Sequence, residues 1–332
     1  MSDTNKIISF CVIIPTRNSR DYIEAHVHAL NQWIYLASEV IVIDSESTDG
    51  TIEYLKDNLK HSSIKFLNHP VGLYESWNFA IAQVESDFIY IATVGDRISK
   101  ENAIRLCHEA ESTNADIVIS PPTLISPDGT SSEANWPINQ YLARTRRTHA
   151  HIISPLEVLL WNITCLPGTL IGSSASNLYK TRALASSPFP TNCGHAGDSA
   201  WALSNSINLS WHIIPDLNSE FITHGNSKKS RSPKSRNRES LYNLAAFSLD
   251  NLQFNIQENP HIEVFKEFVR KLQEKDTIIT DFNQLRKKTR AWFLTPQGWS
   301  QRAAKKRNTK QLKTLKNKAI KAPFTLPCMA RI

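Results

Sequence analysis

The carboxylates of this chain stand at places where an α/β protein can use them. Gly72-Leu-Tyr-Glu-Ser-Trp-Asn-Phe-Ala-Ile81 reads as a helix, and it feeds an apolar run, Phe88-Ile-Tyr-Ile-Ala92, that ends in Thr93-Val-Gly-Asp-Arg97. The run predicts a buried strand. Ligands of open α/β sheets bind outside the carboxyl ends of the strands, so Asp96 is placed to hold a metal ion or a substrate. Asp44 closes a second apolar run, Glu39-Val-Ile-Val-Ile43, and opens the polar turn Ser45-Glu-Ser-Thr-Asp-Gly50, a position that also suits a plain turn former. Asp198 follows Gly197 at the start of a helix expected over about 197–206, where the helix dipole stabilises any acid.

The elements needed to position these acids are legible along the chain. Ser9-Phe-Cys-Val-Ile-Ile-Pro15 is rich in β-branched residues and predicts a first strand buried on both faces, followed by the loop Thr16-Arg-Asn18. A helix to about Trp33, the strand 39–43, a helix 51–59, a strand 64–67, the helix 74–84 and the strand 88–91 continue an alternating β/α series, which predicts a doubly wound sheet. A helix 100–111 and a strand 116–119 follow. Prolines, serines and Asp128-Gly129 make 121–136 a turn-rich excursion. Ser154-Pro-Leu-Glu157 is a capping box with proline at the first helical position. Strands are expected at 209–213 and 220–223, the latter closed by His224.

After His224 the composition changes. Residues 226–238 carry Lys228, Lys229, Arg231, Lys234, Arg236 and Arg238 with few apolar side chains, and read as a basic flexible loop between a domain 1–225 and a helical extension 239–332. No Asp or Glu follows Asp281, whereas fourteen Lys and Arg do, so the net charge of +7 comes from a basic tail. Five widely spaced cysteines without a Cys-x-x-Cys pair point away from a zinc or dithiol site and toward a reduced compartment. The absence of a signal-peptide pattern at Met1 and of an uninterrupted apolar stretch of roughly 20 residues predicts a cytoplasmic protein.

Five pieces, in order, resemble the inverting family 2 glycosyltransferases of GT-A fold: Cys11-Val-Ile-Ile-Pro-Thr-Arg-Asn18, Val40-Ile-Val-Ile-Asp-Ser-Glu-Ser-Thr-Asp-Gly-Thr51, Gly72-Leu-Tyr-Glu-Ser-Trp-Asn78, Thr93-Val-Gly-Asp-Arg97 and Gly197-Asp198. The resemblance covers about residues 8–225. It implies a Rossmann-like, doubly wound mixed sheet with a helical, basic C-terminal extension. It also implies a nucleoside diphosphate sugar as donor, a UDP-sugar first, bound by Pro15, Thr16, Asn18, Asp44, Ser45, Asn78 and Arg97. Asp96, with His224, would hold a divalent metal, Mn2+ or Mg2+, against the diphosphate leaving group. Relatives usually present two or three acids in that turn, and Val94-Gly95-Asp96 supplies one. Asp198 would be the general base that deprotonates the acceptor hydroxyl, as inversion requires.

The acceptor class implied is a glycan or lipid-linked glycan of surface polysaccharide or lipopolysaccharide synthesis, with contacts expected from Leu166 to Tyr179. The basic tail suits the anionic inner face of a membrane, where each near-surface charge contributes about 1 kcal/mol, and equally suits plain solvation. No nucleic-acid motif accompanies the charge, and nucleic acid is not an expected partner. Two other readings stand beside the transferase. One is a non-catalytic relative that binds a nucleotide sugar or a partner enzyme, suggested by the lone acid at Asp96. The other is a sugar nucleotidyltransferase, against which Pro15-Thr-Arg-Asn18 has no glycine to wrap a phosphate.

Overall fold

The computed structural model describes residues 8–126, 128–222, 234–252, 262–275 and 296–321. Its first part alternates as expected: β1 (Phe10–Thr16), α1 (Arg20–Leu30), β2 (Glu39–Asp44), α2 (Thr51–Asn58), β3 (Ile64–Asn68), α3 (Leu73–Ile81), β4 (Phe88–Ile91), α4 (Lys100–Thr113) and β5 (Ile117–Ile119). The continuation is β6 (Pro122–Ile125), β7 (Ser131–Glu133), α5 (Pro137–Thr145), β8 (His151–Ile153), α6 (Pro155–Cys165), β9 (Asn177–Lys180), α7 (Thr181–Ser186), α8 (Gly197–Ser204), β10 (Trp211–Ile213) and β11 (Ser219–Ile222). Three C-terminal helices close the described chain: α9 (Lys234–Asp250), α10 (262–275) and α11 (Pro296–Lys321).

The main sheet has eight strands in the order β3-β2-β1-β4-β9-β5-β10-β8. Strands β1 to β4 are mutually parallel where they pair, and β9 is antiparallel to both β4 and β5. Strand β5 therefore runs with β4, and β10, parallel to β5, runs the same way. The carboxyl ends of β1, β2, β4, β5 and β10 thus lie along one edge. Beyond that edge β6 and β11 pair in parallel and, with β7, form a second sheet of three strands.

Alternation sends the two faces of each strand into different cores. Phe10, Val12 and Ile14 of β1 and Phe88 and Tyr90 of β4 pack with α1, α2 and α4. Cys11, Ile13, Ile89 and Ile91 pack on the opposite face with Trp77, Trp161 and Trp201 from α3, α6 and α8. Val12, Ile13 and Ile14 are fully buried, each contributing about 1.5–3 kcal/mol of transfer free energy, which explains why the continuous apolar runs predicted a doubly covered sheet.

The second part departs from expectation. The segment 121–136, expected to be turns, holds β6 and β7 about a tight return in which the Ser126 N–H donates to Thr130 O at 3.0 Å. Helix α5 and strands β8 and β9 were not foreseen. Strand β9 is only four residues long, Asn-Leu-Tyr-Lys, too short for a periodicity signal, and its order comes from pairing on both sides. The basic segment expected as a loop over 226–238 contains the start of α9 at Lys234; residues 226–233, and residues 276–295 of the expected helical extension, lie outside the described residues. The C-terminal helices do not stand apart either: Leu241, Ala245 and Leu249 of α9, Phe265 and Val269 of α10 and Leu312 of α11 share one buried cluster with Leu159, Ile163 and Leu203 of α6 and α8.

Candidate functional site

Loops β1–α1 and β2–α2 are stapled to each other over the carboxyl ends of their strands. Thr16 and Asp44 are paired across β1 and β2, and Ser45 N–H donates to Thr16 O at 3.0 Å. Asp44 accepts from the Ser47 N–H at 2.8 Å and from the Ser47 hydroxyl at 2.5 Å, so its carboxylate does order the turn. Asn18, in a left-handed conformation at φ 46°, accepts from the Thr48 N–H at 2.9 Å, while its own N–H donates to Ser47 Oγ at 2.8 Å. The Asn18 side chain therefore joins the two loops. Asp49 ties both helix starts, accepting from Arg20 N–H at 2.9 Å and from the Thr51 hydroxyl at 2.5 Å, which holds its carboxyl below the usual range despite some burial. Thr16 is buried with its hydroxyl unpartnered among the described residues, a polar atom that a ligand at this edge would satisfy.

Asp96 lies past the end of β4 and is buried at 7% exposure. Loss of solvent pushes its carboxyl up to about 7, opposed by donation from the Ser173 hydroxyl at 2.7 Å and from the Ile222 backbone. Behind it, His26 of α1 places Nδ1 3.2 Å from Asp96 O, and burial pulls that imidazole down to about 4, so it is neutral near pH 7 and donates to the carbonyl. The adjacent Thr93 and Ser174 hydroxyls meet at 2.5 Å, so Ser173 and Ser174 clasp the whole turn. The segment expected to meet the acceptor, 166–179, thus also supports Asp96 from behind.

Asp198 occupies the first turn of α8 and is partly buried. Desolvation raises its pKa, opposed by the Ser199 N–H at 2.6 Å and the Tyr74 hydroxyl. Tyr74, on α3, also donates to His195 O at 3.3 Å. Gly197 is required by contact: a Cβ there would lie 2.5 Å from Pro190 O and closer still to the Tyr74 ring. Buried polar side chains lead from Ser173, beside Asp96, toward Asp198, with the last step electrostatic only. Asn177 donates to Ser173 O at 2.9 Å and to the Tyr179 hydroxyl at 3.1 Å, and the Asp198 charge acts on Tyr179, raising its pKa further above what burial imposes.

The other expected residues fall differently. Asn78 spends its whole amide on one residue, donating to Phe189 O at 2.8 Å and accepting from Phe189 N–H at 3.0 Å, which braces the loop leading to α8. Pro15 precedes Thr16 in β1. Arg97 exchanges backbone hydrogen bonds with Glu220 and lines, with Ala29, Gln32 and Asn102, a cleft of about 960 Å3. His224 lies outside the described residues. Trp77 is core, on the buried face of α3. Sequence reasoning missed His26, Tyr74, Ser173, Asn177 and Tyr179. His26 had a signal, since it shares the buried stripe of α1 with Ile23, Val27 and Leu30; Ser173 had none.

Among the described residues no group of three or more His, Cys, Asp or Glu is arranged to hold a metal ion. Asp96 supplies one hard oxygen donor, so the residues fit a divalent ion only where diphosphate oxygens and water complete its shell, as such ions accept. Among the described residues no helix is long and apolar enough to cross a membrane.

Residues 11–162 match the model of glycosyl transferase family 2. A curated relative, the poly(ribitol-phosphate) beta-N-acetylglucosaminyltransferase TarS of Staphylococcus aureus, is 32% identical over 102 residues, which are 29% of this chain and 18% of the relative. The chain thus matches less than a fifth of that relative's length. Crystal structures of S. aureus TarS 1–349 share the fold: the complex with UDP superposes with a TM-score of 0.55 at 20% identity, covering 78% of this chain and 70% of that one. The complex with UDP-GlcNAc gives 0.56 at 19% identity over 80% and 72%. With the motif order and the mixed sheet, these likenesses show a GT-A fold in which residues 11–162 are similar to glycosyl transferase family 2.

Proposed function

We propose that the protein transfers a sugar from a nucleoside diphosphate sugar, a UDP-sugar first, with inversion, to a hydroxyl of a glycan or glycolipid in the synthesis of a cell-surface polymer. The observation that carries this reading is the pair of supported acids: Asp96 at the strand edge beside the stapled loops, held by Ser173, and Asp198 on α8, held by Ser199 and Tyr74. The TarS complexes with UDP and UDP-GlcNAc support the donor class.

Thr16, Asp44 and Ser45 at the ends of β1 and β2 would seat the nucleoside, with Pro15 and Asn18 shaping the loop around it. Asp96, and His224 if it lies beside it, would hold a divalent ion, which when bound neutralises charge gathering on the departing diphosphate. Arg97 would act on the phosphates only by turning from its present cleft. Asp198 would take the acceptor proton: burial lifts its pKa toward the range useful to a general base, while the Tyr74 hydroxyl and Ser199 N–H orient the carboxylate. Asn78 would act at one remove, through Phe189. The cationic α11, with Lys306, Arg307, Lys310 and Lys313 exposed, would rest on an anionic cytoplasmic membrane face carrying a lipid-linked acceptor.

A thermal-shift titration tests the donor reading, with UDP, GDP and dTDP, each with and without Mn2+. A ligand that binds only the folded state raises its stability by mass action. Metal-dependent stabilisation by UDP in the wild type, absent from Asp96→Ala, is the expected result. Asp198→Asn should keep the UDP shift while losing turnover by about 100-fold to 10,000-fold. Retained UDP binding without turnover in the wild type would favour the non-catalytic reading as a nucleotide-sugar binder, and no shift with any nucleotide would reject the donor reading in favour of a non-catalytic binder of a partner enzyme.

A further inference from the structure

Helix α1 carries a histidine where its other buried positions are apolar. Ile23, Val27 and Leu30 share the buried stripe with His26, which is 1% exposed. Its ring places Nδ1 3.2 Å from the Asp96 main-chain oxygen, 70 residues away in the chain. Its Nε2 is buried with no hydrogen-bond partner among the described residues. A leucine would fill the same place without leaving a ring nitrogen unmet, and an orphaned buried polar atom is a cost that calls for a role. That role has to lie in what the ring holds.

The ring holds the turn that presents Asp96. Ala92 follows β4, its N–H donating to Ile13 O at 2.8 Å, and Asp96 N–H donates back to Thr93 O at 3.0 Å. The Ala92 backbone also faces the imidazole, so His26 meets both ends of the turn. Ser173 donates to the carboxylate itself at 2.7 Å. The side chain of Asp96 is thus fixed by Ser173 and its main chain by His26.

The same helix starts at the stapled loops. Ser19 N–H donates to the Thr51 hydroxyl and Arg20 N–H to Asp49, both at 2.9 Å, which fastens the start of α1 to the β2–α2 loop. From Arg20 to His26 the helix rises about 9 Å, at 1.5 Å per residue. One hydrogen-bonded helix therefore reaches from the loops beside Thr16 and Asp44 to the turn of Asp96, and rigid elements of this kind carry coupling between sites.

We infer that His26 is a positioning residue: its Nδ1–H fixes the Asp96 turn at a set distance from the loops expected to seat the nucleoside, so that one donor molecule meets both. The inference rests on the reading of Asp96 as the acid that holds a divalent ion against the diphosphate, and adds the group that places it. An oxygen–cation contact tolerates only about 0.2 Å of error, so a turn free to drift loses the ion while the loops still seat the nucleoside.

The test compares two uncharged variants, His26→Asn, whose amide nitrogen stands near Nδ1, and His26→Gln, whose amide stands near Nε2. Titration calorimetry on the full chain gives the affinity for uridine, for UDP in EDTA and for UDP with Mn2+. Both variants are expected to fold, as seen by circular dichroism, and to bind uridine as wild type does. The gain in UDP affinity that Mn2+ confers should fall by about tenfold or more in His26→Gln, the usual scale for a residue one step behind a metal ligand, and should be largely kept in His26→Asn. The Asn variant decides alone if the Gln variant does not fold. An undiminished gain in His26→Gln, or its loss in His26→Asn, would overturn the assignment. So would a parallel fall in uridine and UDP affinity, which marks a general loss of structure. A wild type that gains nothing from Mn2+ would reject the metal reading of Asp96 and this inference with it.

Discussion

Asp96 and His26 show how one buried neighbourhood can carry two opposite titrations. The folded Asp96 carboxyl sits near 7 against an ordinary 3.8, so the folded state holds a proton that the unfolded chain releases between about pH 4 and 7. Its contribution to stability is therefore fully present at acid pH and is lost as pH rises through 7. His26 is depressed to about 4 from 6.5; its contribution is present above 6.5 and is lost as pH falls. The two offset each other in the wild type, and a difference between proteins separates them. Ligand-free Asp96→Asn should match wild type near pH 4 and exceed it at pH 8 by an amount approaching about 4 kcal/mol, read from urea unfolding at each pH. An equal difference at both pH values would remove burial of Asp96 as the cause. Gly197→Ala belongs to the same scale: the new methyl group has to displace Tyr74 or the Pro190 carbonyl, costing about 1–3 kcal/mol and moving Asp198 with it, visible as a lowered Tm and a lowered kcat together.

Among the elements, α3 and α8 depend on each other through side chains rather than through the sheet. Asn78 clamps Phe189, and Tyr74, Trp77 and Phe189 stack edge to face or tilted with ring centroids 5.3 to 5.6 Å apart. Asn78→Ala should strand both backbone groups of Phe189 and destabilise by about 1–3 kcal/mol. If Asn78 works through the loop, the variant loses kcat while its UDP affinity stays near wild type; an equal loss of UDP affinity would instead put Asn78 in direct contact with the nucleotide.

For the whole molecule, the C-terminal helices are part of the core. Removing residues 234–332 would expose Leu159, Leu160, Ile163 and Leu203 together, an apolar patch that a monomer does not leave open. A chain ending at residue 233 is expected to aggregate or to melt well below the full protein in a thermal scan. Equal Tm values would restore the boundary that the composition change near His224 suggested. Leu312→Ala, at a position buried to 6% exposure, tests α11 alone and should cost about 2–4 kcal/mol by chemical unfolding.

Local pattern by itself determined the β/α series from β1 to β5, because strands buried on both faces must be apolar throughout and the helices between them carry a stripe at helical period. It also marked the candidate acids, since a carboxylate at a strand end or a helix start is flagged by its neighbours in the chain. The stapled loops were half legible: Ser45-Glu-Ser-Thr-Asp-Gly50 announces a turn, but its bonding to Asn18 and Ser19 crosses about thirty residues. Only the tertiary structure decided that Ser173 holds Asp96, that Asn78 serves Phe189, and that β9 slips antiparallel between β4 and β5. Each of these is a contact between residues 77 to 111 positions apart, or a strand too short to show a period, and such pairings take their free energy from the packed whole rather than from local sequence.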